Sequence, residues 1–402
     1  MRKIIALLMM MPLCGCCDPS DERDYTFSGS ISREVLENYL SRAITMSDMF
    51  MSMGEPYLDE NIRMLTNTGA KFAGRSVLTW GNESSFASVV TNAAPKVLQV
   101  HAADSEMILQ AGIFEIVTTE VETISVPSWV FEAFGLTPVS RNFDYESMLF
   151  DSGEEIDFYG TGSSVPDMTK LETRLWFFYQ AASYIDIGIE ALHLGQIQWV
   201  SYTDTNYANL EGLITRIREY AAENARRKYV FLDGHVRQGI VRNGKLLLDF
   251  HSSPMRMKEV AGSDSLQCIL EFGHDNAIYG TSLGGTAPSG WSADSLPYLV
   301  EFDHGYAYGY EPGACPKEEC IWGYDEMSWF AVLDETARNE FLRYAWNWVR
   351  ENDSNGYVEM PGMRDVQVTT EVGIDWYFVN SSDLMIYGYD QEETVKEIWT
   401  DR

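Results

Sequence analysis

Short apolar, β-prone runs recur through the middle of this chain, and they gather acids and histidine only at their C-terminal ends. Tyr-Val-Phe-Leu-Asp-Gly-His (229–235), Leu-Leu-Leu-Asp-Phe-His (246–251), Cys-Ile-Leu-Glu-Phe-Gly-His (268–274) and Tyr-Leu-Val-Glu-Phe-Asp-His (298–304) are the clearest. Runs of this kind suit parallel strands covered on both faces that deliver functional groups at one end of a sheet or barrel. Residues 71–80, 107–117 and 188–198 read as three earlier strands, the last carrying His193, Gln196 and Gln198. Residues 321–326 read as the eighth. Arg75 is out of place in the first of these strands unless it meets an acid inside the fold.

Between the runs the period changes from two to 3.6. Helices are predicted over 34–68, 84–94, 171–185 and 334–350, and Leu210, Leu213, Ile214, Ile217 and Ala221 mark one more. Residues 118–170 carry no such period and are too long for a plain connection, which predicts an inserted flap. Eight strands with intervening helices favour a (β/α)8 TIM-type barrel, somewhat irregular, over 31–356, with residues 357–402 a short β/α appendage packed on it. An open doubly wound sheet is the runner-up.

Strand alternation gives the candidate site a direction. Phe231, Asp233 and His235 share a face, as do Leu247, Asp249 and His251, and as do Leu299, Glu301 and Asp303. The opposite faces are apolar and suit helix packing, so the acid-bearing faces are expected to point inward. A plainer reading, a buried polar layer whose members satisfy one another, competes with a site. Glu271 and His274 fall on opposite faces and cannot both point inward.

Composition adds limits. The chain has 402 residues, is 45% hydrophobic, and carries a formal charge of −31, enough for a sizeable core and a strongly negative surface field. Such a field repels phosphate backbones, so nucleic acid is not an expected partner. Arg2 and Lys3 precede an apolar run over 4–13 that is too short to span a bilayer, which reads as a leader over 1–15. Leu13-Cys-Gly-Cys16 resembles a bacterial lipobox with Cys16 as the lipidation site, and the acidic stretch that follows reads as a tether over 16–30. The expected location is a membrane-anchored lipoprotein on the periplasmic side or outer surface of a Gram-negative cell. Cys315 and Cys320, outside the cytoplasm, suit a local disulfide better than zinc.

Paired carboxylates a few ångströms apart are the minimum apparatus for glycoside hydrolysis. Trp80, Trp199, Trp291, Trp322 and Trp329 fall at strand ends or loops, where sugar rings can stack. Asp233-x-His235 and Asp249-x-His251 leave a metal-dependent hydrolase open, although no His-x-His or His-Glu-x-x-His supports it, and no metal or cofactor is expected. The glycine-rich stretch over 280–290 lacks the lysine and strand–loop–helix order of a phosphate loop. No Gly-x-Ser-x-Gly elbow surrounds Ser252 or Ser253.

The lipobox, Arg63-Met-Leu, Gly-Ala-Lys-Phe (69–72), Trp80-Gly, Phe114-Glu-Ile, Leu232-Asp-Gly-His, Leu248-Asp-Phe-His and Trp322-Gly-Tyr-Asp-Glu together resemble a group of uncharacterised, glycosidase-like barrel lipoproteins of glycan-degrading bacteria. The resemblance covers most of the chain and implies a carbohydrate substrate. In retaining barrel glycosidases the acid/base follows strand four and the nucleophile ends strand seven, which implies Asp233 and Glu301. The Asn-Glu usual at strand four is absent here, so Glu115, Asp325 or Glu326 could serve as acid/base instead. Trp80, Glu115, His193, Gln196, His235, Asp249, His251, Asp303, Trp322, Asp325 and Glu326 are the expected substrate-binding positions. A glycan-binding lipoprotein without turnover is the alternative from another class.

Overall fold

The computed structural model describes residues 23–263, 265–304, 320–369 and 371–400. Its frame is a set of strands, β1 (Ala43–Met46), β2 (Phe72–Leu78), β3 (Ile108–Gly112), β4 (Ala191–His193), β5 (Phe231–Asp233), β6 (His251–Pro254), β7 (Tyr298–Glu301), β8 (Gly356–Val358), β9 (Met360–Asp365) and β10 (Trp376–Phe378). A seven-stranded sheet runs β10-β9-β1-β2-β3-β4-β5, and a three-stranded sheet runs β6-β7-β8. Every pairing in both is parallel except β9 with β10. The two sheets meet at two seams. His235, just past β5, bridges in parallel to Ser252 of β6, and β8 passes into β9 through Glu359, whose N–H donates to the Val300 carbonyl. The protein is therefore a mixed α/β fold around central parallel strands.

The long helices are α1 (Arg33–Leu40), α2 (Leu58–Thr68), α3 (Phe86–Ala103), α4 (Leu171–Asp186), α5 (Ala208–Asn224), α6 (Glu326–Val332), α7 (Glu335–Asn352) and α8 (Glu392–Thr400). Local chemistry sets their ends. Ser32, Asp325 and Asp334 cap α1, α6 and α7 by accepting from backbone N–H groups three residues on. Gly69, at φ +77°, closes α2. The α5 face predicted from periodicity is the buried one, with Leu210, Leu213, Ile214, Ile217 and Ala221 against the core.

Several expectations need correction. The single helix over 34–68 is α1 and α2 with β1 between them, because Ser41 and Arg42 stop α1 and Ala-Ile-Thr-Met is β-prone. The predicted eighth strand at 321–326 is a turn, with Ile321 bridged to Tyr324, followed by α6. Residues 268–269 pair antiparallel with 258–259 in a small hairpin rather than joining the central strands. Leu246 closes a small hairpin strand and residues 247–250 form a bend before β6, so the alternation assumed there does not exist. Residues 357–402 are no appendage. They supply most of β8 and all of β9, which pairs with β1. Pro95 sits inside α3 instead of ending it. Cys16 lies outside the described residues, and the tether expected over 16–30 is docked from Tyr25 onward, since Tyr25 and Phe27 are buried. Cys320 is disulfide-bonded, and Cys315 lies outside the described residues.

The strands share an inner layer of apolar side chains. Ala43, Phe72, Ile108, Ala191, Phe231, Leu299 and Tyr357, with Phe250 just before β6, belong to one buried cluster together with Tyr25, Phe27 and α1. The segment over 23–31 and α1 thus cover the N-terminal end of the strands. Rings meet edge to face there, as Phe27 does with Phe231 at 5.2 Å and Phe72 with Phe250 at 5.8 Å. Arg227 holds this floor in place by pairing with Glu190 and donating to the Tyr39 hydroxyl.

Candidate functional site

Two residues further along each strand, the same face changes character. Thr45, Gly74, Gln110, His193, Asp233, Ser252, Glu301 and Glu359 follow the apolar layer, one from each of β1 to β8 or its immediate continuation. Pairing keeps them on one face, as His193 aligns with Asp233 and Ser252 with Leu299. All the side chains in this layer are buried. Asp233 is the hub. Its Oδ1 accepts from Gln110 Nε2 at 2.7 Å, and its Oδ2 meets His193 Nδ1 at 2.8 Å and Ser252 Oγ at 2.9 Å. Glu301 is the second hub, with His235 Nε2 at 2.6 Å and guanidinium groups of Arg75 and Arg364 beside it. The His193 and His235 rings lie edge to face at 4.6 Å and connect the two hubs.

Arg75 reaches Glu301 through an irregularity in β2. The register with β3 steps from Ala73–Leu109 to Val77–Ala111, so residues 74–76 bulge. Arg75 takes φ +53°, a conformation that costs free energy for any side chain but glycine. The adjacent Gly74 leaves room for Glu359, whose Oε1 would lie 1.9 Å from a Cβ at that position. The odd arginine in the strand thus meets acids inside the fold, pairing with Glu301 and lying 3.7 Å from Glu359.

Their neighbours separate the two buried carboxylates chemically. Desolvation pushes Asp233 up to about 7, against the opposing pull of Ser252, Arg75 and Gln110. Glu301 sits among guanidinium groups that favour its ionised form. Burial, reinforced by Arg75 and Arg364, drives both His193 and His235 well below the usual histidine range, so both imidazoles are neutral at pH 7. Neutral His235 then donates through Nε2 to the Glu301 carboxylate. One proton is held between Asp233 and His193 Nδ1, and among the described residues His193 Nε2 has no hydrogen-bond partner. His235 is the more open member, with 22% of its side chain exposed, against 2% for Glu301.

The remaining sequence candidates divide between this layer and structural work. Glu115, after β3, accepts from the Gln196 N–H and side-chain amide at 2.8 and 3.2 Å. Gly195 permits that contact, since a Cβ there would lie 2.2 Å from Glu115 Oε2. Desolvation raises the Glu115 pKa. Asp303 pairs with Arg256 at 3.1 Å, and His304 with Asp365 at 2.7 Å, around the C-terminal end of β7. Trp80 is exposed beside Phe114.

Asp249 and His251 do not point inward with Asp233. Asp249 faces α5 and accepts from Arg218, the Leu232 N–H and the Tyr229 hydroxyl. His251 bonds the Val236 carbonyl and Ser282, and packs on Tyr298. Because β6 begins only at His251, Ser252 takes the inward position. Glu326 receives the N–H groups of Met255, Arg256 and Asp303 and clamps the ends of β6 and β7, with burial pushing it up to about 7. Asp325 caps α6. Trp322 caps the small hairpin, donating to the Gln267 carbonyl, Trp329 donates to Leu266, and Trp291 to Ile31 at the opposite end of the strands. Asp233 ends the fifth strand rather than the fourth, because β1 had been absorbed into a helix. Glu301 does end the seventh.

Gln110, Glu359 and Arg364 were missed by sequence reasoning. Gln110 had a signal, being the lone polar residue within Ile108–Gly112. Among the described residues no three histidine, cysteine, aspartate or glutamate side chains are placed to hold a metal ion. The Asp-x-His pairs considered as ligands are instead engaged with protein partners.

No protein-family model and no curated protein matches this chain. Among solved structures, a debranching enzyme of Nostoc punctiforme in its native form is 9% identical, over 54% of this chain and 52% of that one, with a TM-score of 0.32. A GH5_18 protein from Bifidobacterium longum subsp. infantis is 9% identical over 89% and 78%, with a TM-score of 0.42. An isomalto-dextranase of Arthrobacter globiformis T6, complexed with panose, is 12% identical over 90% and 57%, with a TM-score of 0.37. These structural neighbours are glycoside hydrolases. The chain spans about half the length of the Nostoc enzyme.

Proposed function

We propose that this protein is a glycoside hydrolase-like enzyme that cleaves glycosidic bonds of an oligosaccharide at the C-terminal ends of its parallel strands. The observation that carries the reading is the opposed state of two buried carboxylates in one layer. Glu301 stands among cationic groups, and burial pushes Asp233 up to about 7, so that a large share of molecules carry its proton at neutral pH. Glycoside hydrolysis needs this division, one carboxylate ionised as nucleophile or base and one acidic group to protonate the leaving oxygen. Glu301 takes the first role. Asp233 is the proton source and acts through His193, whose Nε2 is without a partner among the described residues. The reading includes closure of the two sheets into a (β/α)8 barrel, supported by the His235–Ser252 bridge and the passage of β8 into β9.

The test is reducing-end release from a broad glycan panel by wild type, Glu301→Gln and Asp233→Asn, with circular dichroism to confirm folding. Each substitution is expected to cost about 10²–10⁴ in rate. Both variants retaining rates within about tenfold of wild type would remove the assignment.

A second reading, glycan binding without turnover, is favoured by one observation. Asp233 and Glu301 are only 1% and 2% exposed, which also suits a self-satisfied polar layer. Sugar binding by calorimetry with no bond cleavage across the panel would establish it. We further propose anchoring through a lipid on Cys16 outside the cytoplasm, supported by Leu13-Cys-Gly-Cys16. Cys16→Ala is expected to move the protein from the membrane to the soluble fraction, and unchanged fractionation would contradict the anchor.

A further inference from the structure

The insertion over 118–170 places aromatic rings beside the candidate site, and the site chemistry does not use them. Phe158 and Tyr159 come from its far end, Trp80 follows β2, Phe114 follows β3 and Trp199 follows β4. Trp80 packs on Phe114 at 5.1 Å and on Tyr159 at 5.5 Å, while Phe158 packs on Tyr159 at 4.9 Å and on Trp199 at 4.7 Å. Although in mutual contact, Trp80 remains 45% exposed and Phe158 55%. Large aromatic rings left open to water in a contiguous group mark a binding surface more often than a packing remainder.

Three features tie this surface to the site. Phe114 lies 5.8 Å from the His193 ring, edge to face, so the aromatic group continues directly into the His193–Asp233 pair. Beneath the rings, buried Glu115 holds the Tyr159 hydroxyl as well as Gln196, fixing the insertion to the ends of β3 and β4. The turn bearing Tyr159 is itself pinned, since the Tyr159 N–H donates to Ser163, and Val117–Thr118 pairs with Ser163–Ser164. The platform is thus held in position before any ligand arrives.

We propose that Trp80, Phe158, Tyr159 and Trp199 form a binding platform for a pyranose ring that bears no negative charge, adjacent to the ring at the cleavage position. The C–H face of a pyranose is apolar and stacks on aromatic rings, while its hydroxyls need nearby acceptors and amides. Glu154 and Asp157 lie in the same loop, and the chain as a whole carries −31, so a uronate would be repelled. The inference rests on the carbohydrate reading above, and it adds that the substrate has more than one sugar residue and is not anionic.

The test separates binding from turnover by using the full chain carrying Glu301→Gln. Calorimetric titrations with cellohexaose, maltohexaose, mannohexaose, chitohexaose and hexagalacturonate are compared in that background with and without Trp80→Ala or Phe158→Ala, two largely exposed positions. At least one of the four neutral hexamers is expected to bind, with affinity at least tenfold weaker in both double variants, and hexagalacturonate is not expected to bind. The inference is overturned if no neutral hexamer binds, if both aromatic substitutions leave affinity unchanged, or if hexagalacturonate binds as tightly. Platform-dependent binding together with no cleavage by wild type would uphold this inference while removing the hydrolase reading.

Discussion

The two inner layers of the parallel strands differ by a step of two residues and by almost everything else. Ala43, Phe72, Ile108, Ala191, Phe231, Phe250, Leu299 and Tyr357 form an apolar floor, covered by α1 and by rings from 23–31. Thr45, Gly74, Gln110, His193, Asp233, Ser252, Glu301 and Glu359 lie directly above it and are equally buried, yet they carry three acids and a histidine. Burial stabilises the first layer through removal of apolar area from water. It works against the second, because buried charge costs free energy unless it is paired. The fold spends strain there too, with Arg75 at φ +53° supplying a counter-charge. A chain that needed only stability would continue the floor upward.

Substitutions can break this contrast in order of size. The largest effect is the loss of about 10²–10⁴ in rate for Glu301→Gln, with no comparable effect expected from any floor residue. Next come two changes of similar thermodynamic cost and opposite functional consequence. Phe231→Ala should lose about 3–5 kcal/mol in denaturant unfolding while the folded fraction keeps its turnover. Arg75→Met should lose about 3–5 kcal/mol because Glu301 and Glu359 are left with one guanidinium fewer, and it should lower turnover as well, by less than Glu301→Gln does. Equal turnover in the two variants would erase the distinction between the layers.

Asp249 sharpens the comparison from outside both layers. It bonds Arg218, Tyr229 and the Leu232 N–H, so Asp249→Asn is expected to cost about 1–3 kcal/mol of stability with kcat unchanged. A large kcat loss would return Asp249 to the site. Smallest per step of the variable changed is the effect on pH dependence. The folded-state pKa of Asp233 is raised to about 7 from 3.8. The folded protein therefore holds a proton that the unfolded chain has released between those values. Its contribution is full below the unfolded pKa and is lost as pH rises through the folded one, with a slope of at most about 1.4 kcal/mol per pH unit. Comparing wild type with Asp233→Asn isolates this slope, and parallel stability curves would contradict it.

The sequence made the ends of β5 and β7 legible, with Phe231 and Leu299 on the same faces, because those strands are apolar, β-prone and closed by acids. It concealed β1, which is four residues long and set between two helices, so the 3.6 period of its neighbours ran across it. That one omission shifted the strand count and moved Asp233 from the fifth strand to the fourth. His251–Pro254 reads as a loop by propensity, and the apolar 246–248 before it drew the strand assignment upstream. The consequence was an inverted face, with Asp249 and His251 inward in place of Ser252. Met360–Asp365 contains proline and glycine, and its partners β1 and β10 are separated from it in the chain, so nothing local marks it as central. Arg75 was visible as an anomaly from the start, and the β2 bulge supplies its reason.

The central claim is that burial raises the Asp233 carboxyl to about 7 inside a layer where guanidinium groups stand against Glu301. Carboxyl-carbon NMR on protein labelled at aspartate measures this directly across a pH titration. One aspartate is expected to titrate at about 7 and to disappear from the spectrum of Asp233→Asn. If every aspartate, Asp233 included, titrates in the ordinary range near about 3.9, the division of roles between the two carboxylates is contradicted.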